Sequence, residues 1–248
     1  MPLISTDGLI IKIADTGNSD RICTIITRSG GVIRAFANGA KNIKNKNHAA
    51  TNLFAYSDLI LFKGRDSYSI NEASLKENFS ARLDSLEKLS LAQYFSELCI
   101  TLAADNAGDE GFLRLMLNAL HLLSHEKYTP SHIKAVTELR MMCLAGYMPD
   151  LVMCSGCGKY DAEKMFFYPE IGKIFCQKCL PMGYARRFEL LPGVLTAMRH
   201  ICYSPFEKIY SFTLASETEA SLSQVCEGFL LIMLDRTFKT LQFYHSVI

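Results

Sequence analysis

Four of the nine cysteines have the spacing of a metal-binding site. They form two Cys-x-x-Cys pairs, Cys154 with Cys157 and Cys176 with Cys179, separated by 18 residues. Two thiolates separated by two residues can bind one ion from a single tight turn, and a second pair completes a tetrahedral site. Because such a site has no open position for water, the pattern predicts one structural Zn²⁺ ion rather than a catalytic one.

Two other chemistries use cysteines in a similar spacing. Two thioredoxin-like redox pairs would each require a preceding strand and a following helix, which the glycines flanking Cys157 and the proline at 181 disfavour. An iron–sulfur cluster also takes four cysteines, and the sequence leaves this alternative open. The other five cysteines lie in apolar patterns and are interpreted as buried thiols: Cys23, Cys99, Cys143, Cys202 and Cys226.

Positive charge is concentrated in particular segments of the chain, although the formal net charge of the whole chain is only +1. Residues 21–65 contain eight Lys or Arg and one acid, Asp58. Such a segment is typical of a phosphate-binding surface, because each phosphate contact releases condensed counterions. A solubilising surface without a ligand is the alternative. The candidate DNA-binding residues are Arg21, Arg28, Arg34, Phe36, Lys41, Lys44, Lys46, Lys63 and Arg65.

A second basic segment, residues 154–187, surrounds the cysteines and contains six Lys or Arg against three acids. An extension of the DNA path onto this segment is a hypothesis from charge alone. The cations concerned are Lys173, Lys178, Arg186 and Arg187.

The elements that would position the first basic segment are strands. Apolar, β-branched runs at residues 9–13, 22–27, 32–37, 53–63 and 68–75 are separated by turn residues, which predicts a five-stranded OB-type barrel. Alternation in the third run places Arg34 and Phe36 on one face. For Phe36, Phe54 and Phe62, stacking on bases and filling the barrel interior remain alternatives. The Asn-rich residues 41–48 are interpreted as an exposed, mobile loop.

From about residue 80 the apolar period lengthens to between three and four, which indicates amphipathic helices. They are predicted near residues 83–102, 112–123, 130–146, 191–202 and 222–244. Residues 165–168 and 172–175 can pair as the strands of a zinc ribbon. The predicted fold is α+β and multidomain: an OB-type barrel at 1–79, then a helical domain at 80–248 with 151–183 inserted as a four-cysteine zinc ribbon.

Composition and missing motifs exclude several classes of protein. The longest apolar run in the 248 residues has six members, too few to span a membrane, and the N-terminus lacks a secretion signal, so a cytoplasmic protein is expected. No P-loop or metalloprotease motif is present. We therefore expect no enzymatic activity, since the closed cysteine site also disfavours a metal-assisted hydrolase. A protein-interaction adaptor, with a basic barrel that binds acidic protein tails, is the alternative to DNA binding.

The order of these parts resembles the RecO family of bacterial recombination mediators over essentially the whole chain. The resemblance rests on Gly8 to Lys12, Asp20-Arg21 with Thr24 to Arg28, Ser29 to Val32, Gly39-Ala40-Lys41 and the four cysteines. Asn38 departs from the family, which commonly has a basic residue there.

The resemblance implies a non-enzymatic protein that binds single- and double-stranded DNA and anneals complementary strands. It further implies action with RecR to load RecA onto DNA covered by single-strand-binding protein. The acidic C-terminal tail of that protein is expected to bind the helical domain. A bacterial cytoplasmic, nucleoid-associated location follows from the same resemblance.

Overall fold

The computed structural model describes residues 3–65, 67–103 and 110–248. It separates into two compact units. The first contains Met1–Lys127 with Phe238–Ile248, and the second contains Tyr128–Thr237. The predicted boundary at residue 79 lies where the strands end and the helices begin. The two compact units divide the chain differently, because the first two helices and the last helix belong to the same unit as the barrel. The predicted division into domains stays a prediction.

The N-terminal strands form a closed barrel in the order β1-β2-β3-β5-β4, in which β1 also pairs with β4. All neighbours are antiparallel except β3 and β5. This confirms the predicted five-stranded OB-type barrel. The strands are β1 (Leu3–Thr16), β2 (Asp20–Thr27), β3 (Gly31–Ala37), β4 (Ala55–Lys63) and β5 (Tyr68–Asn78).

Alternating side chains of these strands fill the narrow interior of the barrel. Ile10, Ile25 and Leu59 are buried there together with small residues such as Ala35 and Ala37. A five-stranded barrel has little internal space, so alanines beside larger aliphatic side chains fill it without a channel. The residues between these positions, including Arg34 and Phe36, consequently point outward.

Three helices complete the first unit: α1 (Leu86–Leu102), α2 (Gly111–His125) and α6 (Lys239–Val247). α6 packs on α1. The backbone N–H of Thr240 donates to Glu97 Oε2 at 3.3 Å, and the rings of Tyr94 and Phe238 meet edge to face at 6.0 Å. The end of the chain therefore belongs to the same compact unit as its beginning.

The single helix predicted at 222–244 is wrong, because two helices occupy this region. α5 (Ser216–Leu234) ends at Asp235, whose left-handed backbone (φ 45°) cannot continue an α-helix. α6 begins four residues later at Lys239, after the buried Phe238. The break lies where the chain passes from the second compact unit to the first.

The second unit combines α3 (Pro130–Leu144), α4 (Pro192–Tyr203) and α5 with a small sheet. α3 starts with a capped turn: Thr129 Oγ1 accepts from the His132 N–H at 3.1 Å, and Pro130 occupies the first helical position. Both α4 and α5 pack against α3. No helix in the described ranges has the length and apolarity required to cross a membrane.

The small sheet has the strand order β7-β6-β8, with β6 (Met165–Tyr168), β7 (Lys173–Cys176) and β8 (Phe188–Leu190). The antiparallel pair β6 and β7 confirms the predicted ribbon strands. β8 was not predicted, since three residues carry too short a pattern to recognise.

Candidate metal centre and nucleic-acid interface

The structure brings the four predicted metal ligands together. The sulfurs of Cys154, Cys157, Cys176 and Cys179 all lie within 4.8 Å of one another. In the described parts of the chain, this is the one group of three or more possible ligands that converges. Both Cys-x-x-Cys pairs thus face one centre, which does not favour two separate redox pairs.

Local backbone hydrogen bonds shape the first cysteine turn. The Cys154 N–H donates to the Lys159 carbonyl, and the Gly158 N–H donates to the Cys154 carbonyl, both at 2.8 Å. Gly158 has φ +72°, which an L side chain rarely adopts. A Cβ on Gly156 would lie 2.6 Å from Cys179 Cβ, so only glycine permits this approach of the two turns. Both glycines are therefore required by the geometry of the site.

The distances fit a single tetrahedral ion. A Zn–S bond of about 2.3 Å places two sulfurs of a regular tetrahedron about 3.8 Å apart. Cys157 Sγ and Cys176 Sγ are 3.8 Å apart. The Cys176 N–H donates to Cys154 Sγ at 3.3 Å. Burial raises the pKa of the Cys154 thiol, but this N–H and those of Gly156 and Cys157 outweigh burial and lower the pKa to about 6.

A residue of α4 that sequence reasoning missed holds the segment leading into this site. Arg199 donates to the carbonyl oxygens of Leu151 at 2.8 Å, Val152 at 3.2 Å and Tyr160 at 2.7 Å. Its guanidinium also lies 3.9 Å from the centre of the Tyr160 ring. Arg199 is 39 residues or more from these partners along the chain, so no local pattern indicates the role.

The outer face of the barrel carries two rows of side chains across the strands, and the rows meet on β3. In the first row, Ser69 of β5 pairs with Phe62 on one side and with Phe36 on the other. In the second row, Thr24 of β2 pairs with Arg34 on one side and Lys12 on the other. Arg34 and Phe36 alternate with buried alanines on β3, which confirms their predicted common face. Lys12 is a cation of this surface that sequence reasoning did not select.

The three phenylalanines have different environments. Phe36 is 39% exposed and Phe62 is 36% exposed, whereas Phe54 is completely buried. The barrel-filling interpretation therefore does not apply to Phe36 or Phe62, and base stacking does not apply to Phe54. Neighbouring strands are about 4.8 Å apart, so the two exposed rings lie on strands roughly 10 Å apart.

Several candidate cations are already paired. Lys41 Nζ lies 3.4 Å from Asp15 Oδ2, and Lys46 Nζ lies 3.2 Å from Glu72 Oε1. Arg21 Nη1 donates to Asn52 Oδ1 at 2.7 Å. The two ion pairs are at the surface and can exchange for phosphate at small cost, since exposed ion pairs contribute little. The Arg21 contact is partly buried and is not an ion pair.

Other candidate cations are exposed and have no ion pair within the described ranges, namely Arg34, Lys44, Lys63 and Arg65. Lys63 Nζ lies 5.9 Å from the centre of the Tyr68 ring. Arg65 lies in the turn between β4 and β5, three residues before Tyr68, and Tyr68 pairs with Ala35 of β3. Phe36, Phe62 and Arg65 therefore lie at the same end of the barrel.

Arg28 takes part in a polar network of the barrel. Its guanidinium binds the Asp7 carboxylate through two hydrogen bonds, Nε to Oδ1 at 2.8 Å and Nη2 to Oδ2 at 2.7 Å. It also donates to Glu110, and the Tyr56 hydroxyl donates to Asp7. Hydrogen bonding by Arg28 is the largest cause that lowers the pKa of Asp7 to about 2. These contacts favour a structural role, and the predicted role of Arg28 in DNA binding stays a prediction.

The second basic segment offers fewer organised contacts. Arg187 lies 5.3 Å from the centre of the Phe166 ring, and the Arg186 N–H donates to Glu170 Oε1 at 3.1 Å. The side chains of Lys173 and Lys178 are on the surface. Their part in a DNA path remains a hypothesis.

Two family models match this chain, and the boundary between them lies where the barrel strands end and the helices begin. Residues 1–79 match the family model "Recombination protein O N terminal", and residues 83–242 match "Recombination protein O C terminal". The chain belongs to the RecO family. This confirms the resemblance seen in the sequence motifs. The RecO N-terminal match contains the whole barrel, and the C-terminal match contains all four cysteines.

Named relatives span the full chain. "DNA repair protein RecO" of Acetivibrio thermocellus is 30% identical over 247 residues, covering 100% of this chain and 98% of the relative. The proteins of the same name from Symbiobacterium thermophilum and Alkaliphilus metalliredigens are 27% and 28% identical. They cover 100% and 94% of this chain, and 98% and 95% of their own lengths. The likeness to RecO proteins is therefore not confined to one domain.

Proposed function

We propose that this chain is a non-enzymatic protein of recombinational DNA repair that binds single- and double-stranded DNA and anneals complementary strands. The observation that carries the proposal is the outer barrel face, where the exposed rings of Phe36 and Phe62 lie near Arg34. Membership of the RecO family, whose named relatives are DNA repair proteins, supports it.

The chemistry of this face suits a single strand whose sequence is not read. Cations bind phosphates and rings stack on any base, because every base has a π-face. The row of Phe62, Ser69 and Phe36 and the row of Arg34, Thr24 and Lys12 meet on β3, where Arg34 and Phe36 are two residues apart on the same face. A mediator that anneals arbitrary strands requires this combination rather than base-edge contacts.

We further propose partners and a location from the family resemblance. The chain acts with RecR to help load RecA onto DNA covered by single-strand-binding protein, whose acidic C-terminal tail it binds. The location is the bacterial cytoplasm, in association with the nucleoid. These partners are tested by co-purification with the purified proteins; absence of RecR binding would contradict the loading role while leaving DNA binding intact.

For the cysteine site, we propose one structural Zn²⁺ ion bound by Cys154, Cys157, Cys176 and Cys179. Four sulfurs within 4.8 Å leave space for one ion, whereas the core of an iron–sulfur cluster would hold them further apart. When bound, the ion crosslinks the two turns and supplies no open coordination position. Metal analysis of reduced protein should find one zinc per chain; iron with sulfide would contradict the assignment.

The DNA-binding proposal is tested by fluorescence anisotropy of a labelled single-stranded oligonucleotide across a salt series, with annealing measured in parallel. We expect Phe36→Ala to weaken binding by about 1 to 3 kcal/mol, the usual loss of one stacking platform. We expect Arg34→Ala to reduce the salt slope by about 0.7, the value of one phosphate on a single strand. Annealing should proceed without ATP.

The matched control is Lys76→Ala, which removes a cation of β5 seven residues beyond Ser69, toward the other end of the barrel from Phe36 and Phe62. Its affinity for the oligonucleotide should stay within twofold of wild type. If wild type fails to bind DNA at low salt, the proposal is wrong, and an adaptor whose basic barrel binds acidic protein tails takes its place. Equal losses in Lys76→Ala and Arg34→Ala would instead indicate a diffuse electrostatic effect.

A further inference from the structure

Two cysteines outside the metal centre form a pair in the second compact unit. Cys143 lies in the last turn of α3, and Cys202 lies near the end of α4. Their sulfurs are 3.6 Å apart, although the residues are 59 positions apart along the chain. Cys143 is partly exposed, whereas Cys202 is buried. The partly exposed cysteine therefore lies next to a buried thiol, and it is the one that a small reagent would reach first.

A partly buried cation lies beside this pair. Arg140, one turn before Cys143 on α3, donates through Nη1 to the carbonyl oxygens of Ile201 at 3.1 Å and Cys202 at 2.9 Å. These contacts fix its guanidinium against the end of α4. The contact with Cys202 and the charge of Arg140 together lower the pKa of the Cys143 thiol against the opposing effect of burial. Cys143 thus has the exposure and the positive neighbour of a reactive cysteine.

We propose that Cys143 and Cys202 form an oxidisable dithiol that hydrogen peroxide converts to a disulfide between α3 and α4. In the first step the Cys143 thiolate attacks one peroxide oxygen, the O–O bond breaks, and Cys143 becomes a sulfenic acid; the hydroxide that leaves takes up the proton lost by the Cys143 thiol and becomes water. In the second step the Cys202 sulfur attacks the Cys143 sulfur, the S–S bond forms as the S–O bond of the sulfenic acid breaks, and the leaving hydroxide takes up the Cys202 thiol proton as a second water. Two thiols are oxidised and one peroxide is reduced.

The bond requires the sulfurs to approach from 3.6 Å to about 2.05 Å. Because the crosslink encloses the segment between α3 and α4, it closes a loop that contains all four metal ligands. The constraint should raise the melting temperature of the unit by about 5 °C. This inference does not depend on the proposed DNA-binding function.

The test treats full-length, zinc-loaded protein with stoichiometric hydrogen peroxide, blocks remaining thiols and maps crosslinks by mass spectrometry. Cleavage before Asp150 is needed, because it separates Cys143 from Cys154 and Cys157. Zinc release is followed in the same sample with a chromophoric chelator. We expect the crosslink between Cys143 and Cys202 to appear before zinc is released. No crosslink, or one that appears only after zinc release, overturns the proposal.

Two variants, each lacking one cysteine of the pair, test the order of the steps. Dimedone traps the sulfenic acid. In Cys202→Ala, peroxide should produce a labelled Cys143, because no thiol remains to resolve it. In Cys143→Ala, the buried Cys202 should stay unlabelled. The matched control is Cys226→Ala, which removes another buried thiol of the same unit and should keep the crosslink. Equal labelling of Cys202 and Cys143 would contradict Cys143 as the attacking residue.

Discussion

At the scale of single residues, a buried ion triad distinguishes the helical core of the second unit. Lys134 Nζ lies 3.0 Å from Glu138 Oε1 and 2.6 Å from Glu227 Oε2, and the side chains of Lys134 and Glu138 are only 2% and 0% exposed. Burial alone would lower the pKa of Lys134, but the two carboxylates outweigh burial and raise it. The ammonium therefore stays charged, and it compensates the fully buried carboxylate of Glu138 and the partly exposed carboxylate of Glu227.

We expect Lys134→Met to destabilise the protein by about 3 to 5 kcal/mol, because Glu138 would be left buried without a cation. Urea unfolding followed by circular dichroism measures the change. Because the folded pKa of Lys134 is raised above 10.5, the wild-type advantage should be present at neutral pH and disappear only as the pH rises through that higher value. The control is Lys164→Met, which removes a half-exposed partner of Glu189 and should cost about 1 kcal/mol or less. Equal losses in the free energy of unfolding in the two variants would contradict a special role for the buried triad.

At the scale of elements, the asparagines of residues 41–48 have a structural role in the turns that follow β3. The sequence predicts an exposed, mobile loop there, because the segment is rich in asparagine. In the structure the asparagines close successive turns: Lys44 N–H donates to Asn42 Oδ1 at 3.0 Å, and Asn47 N–H donates to Asn45 Oδ1 at 2.8 Å. Asn47 is buried, and its Oδ1 accepts from the Ala73 N–H of β5 at 3.0 Å. The lysines of the segment are thus displayed on a hydrogen-bonded support.

Asn47→Ala should destabilise the barrel by about 1 to 3 kcal/mol, since the buried N–H of Ala73 loses its acceptor. The amide of Ala73 should also exchange with solvent faster, which hydrogen exchange measures at that residue. Asn42→Ala is the matched control, because Asn42 is exposed and its loss should cost about 0.5 kcal/mol or less. Unchanged protection of Ala73 in Asn47→Ala would show that this support is not required.

The elements also show which features a sequence can predict. The alternation of apolar and polar residues, together with the turn residues, was sufficient to predict that all five barrel strands exist. Each strand has one buried face, so its pattern is local. The spacing of the four cysteines was sufficient to predict the ribbon. The break at Asp235 was not visible, because apolar residues continue on both sides of it. Arg199 was not predictable either, since its partners are distant in sequence and are backbone carbonyls.

At the scale of the whole molecule, the metal site and the proposed DNA-binding face belong to different compact units. The four cysteines lie within Tyr128–Thr237, whereas the barrel and α6 belong to the other unit. The chain leaves the first unit once and returns to it through α6. Each unit has its own buried core, so loss of the ion should act first on the unit that contains it.

We therefore expect metal removal, by a chelator or by Cys157→Ser, to lower the thermal stability or solubility of the protein while single-strand affinity stays within about twofold of wild type. The physical reason is that a structural ion crosslinks two short turns, whereas the barrel is stabilised by its own strands. Calorimetry and anisotropy on the same sample measure the two properties, and readdition of zinc is the control for damage by the chelator. A parallel loss of affinity and metal would contradict this independence. It would then place part of the DNA path on exposed cations of the ribbon such as Lys173 and Lys178.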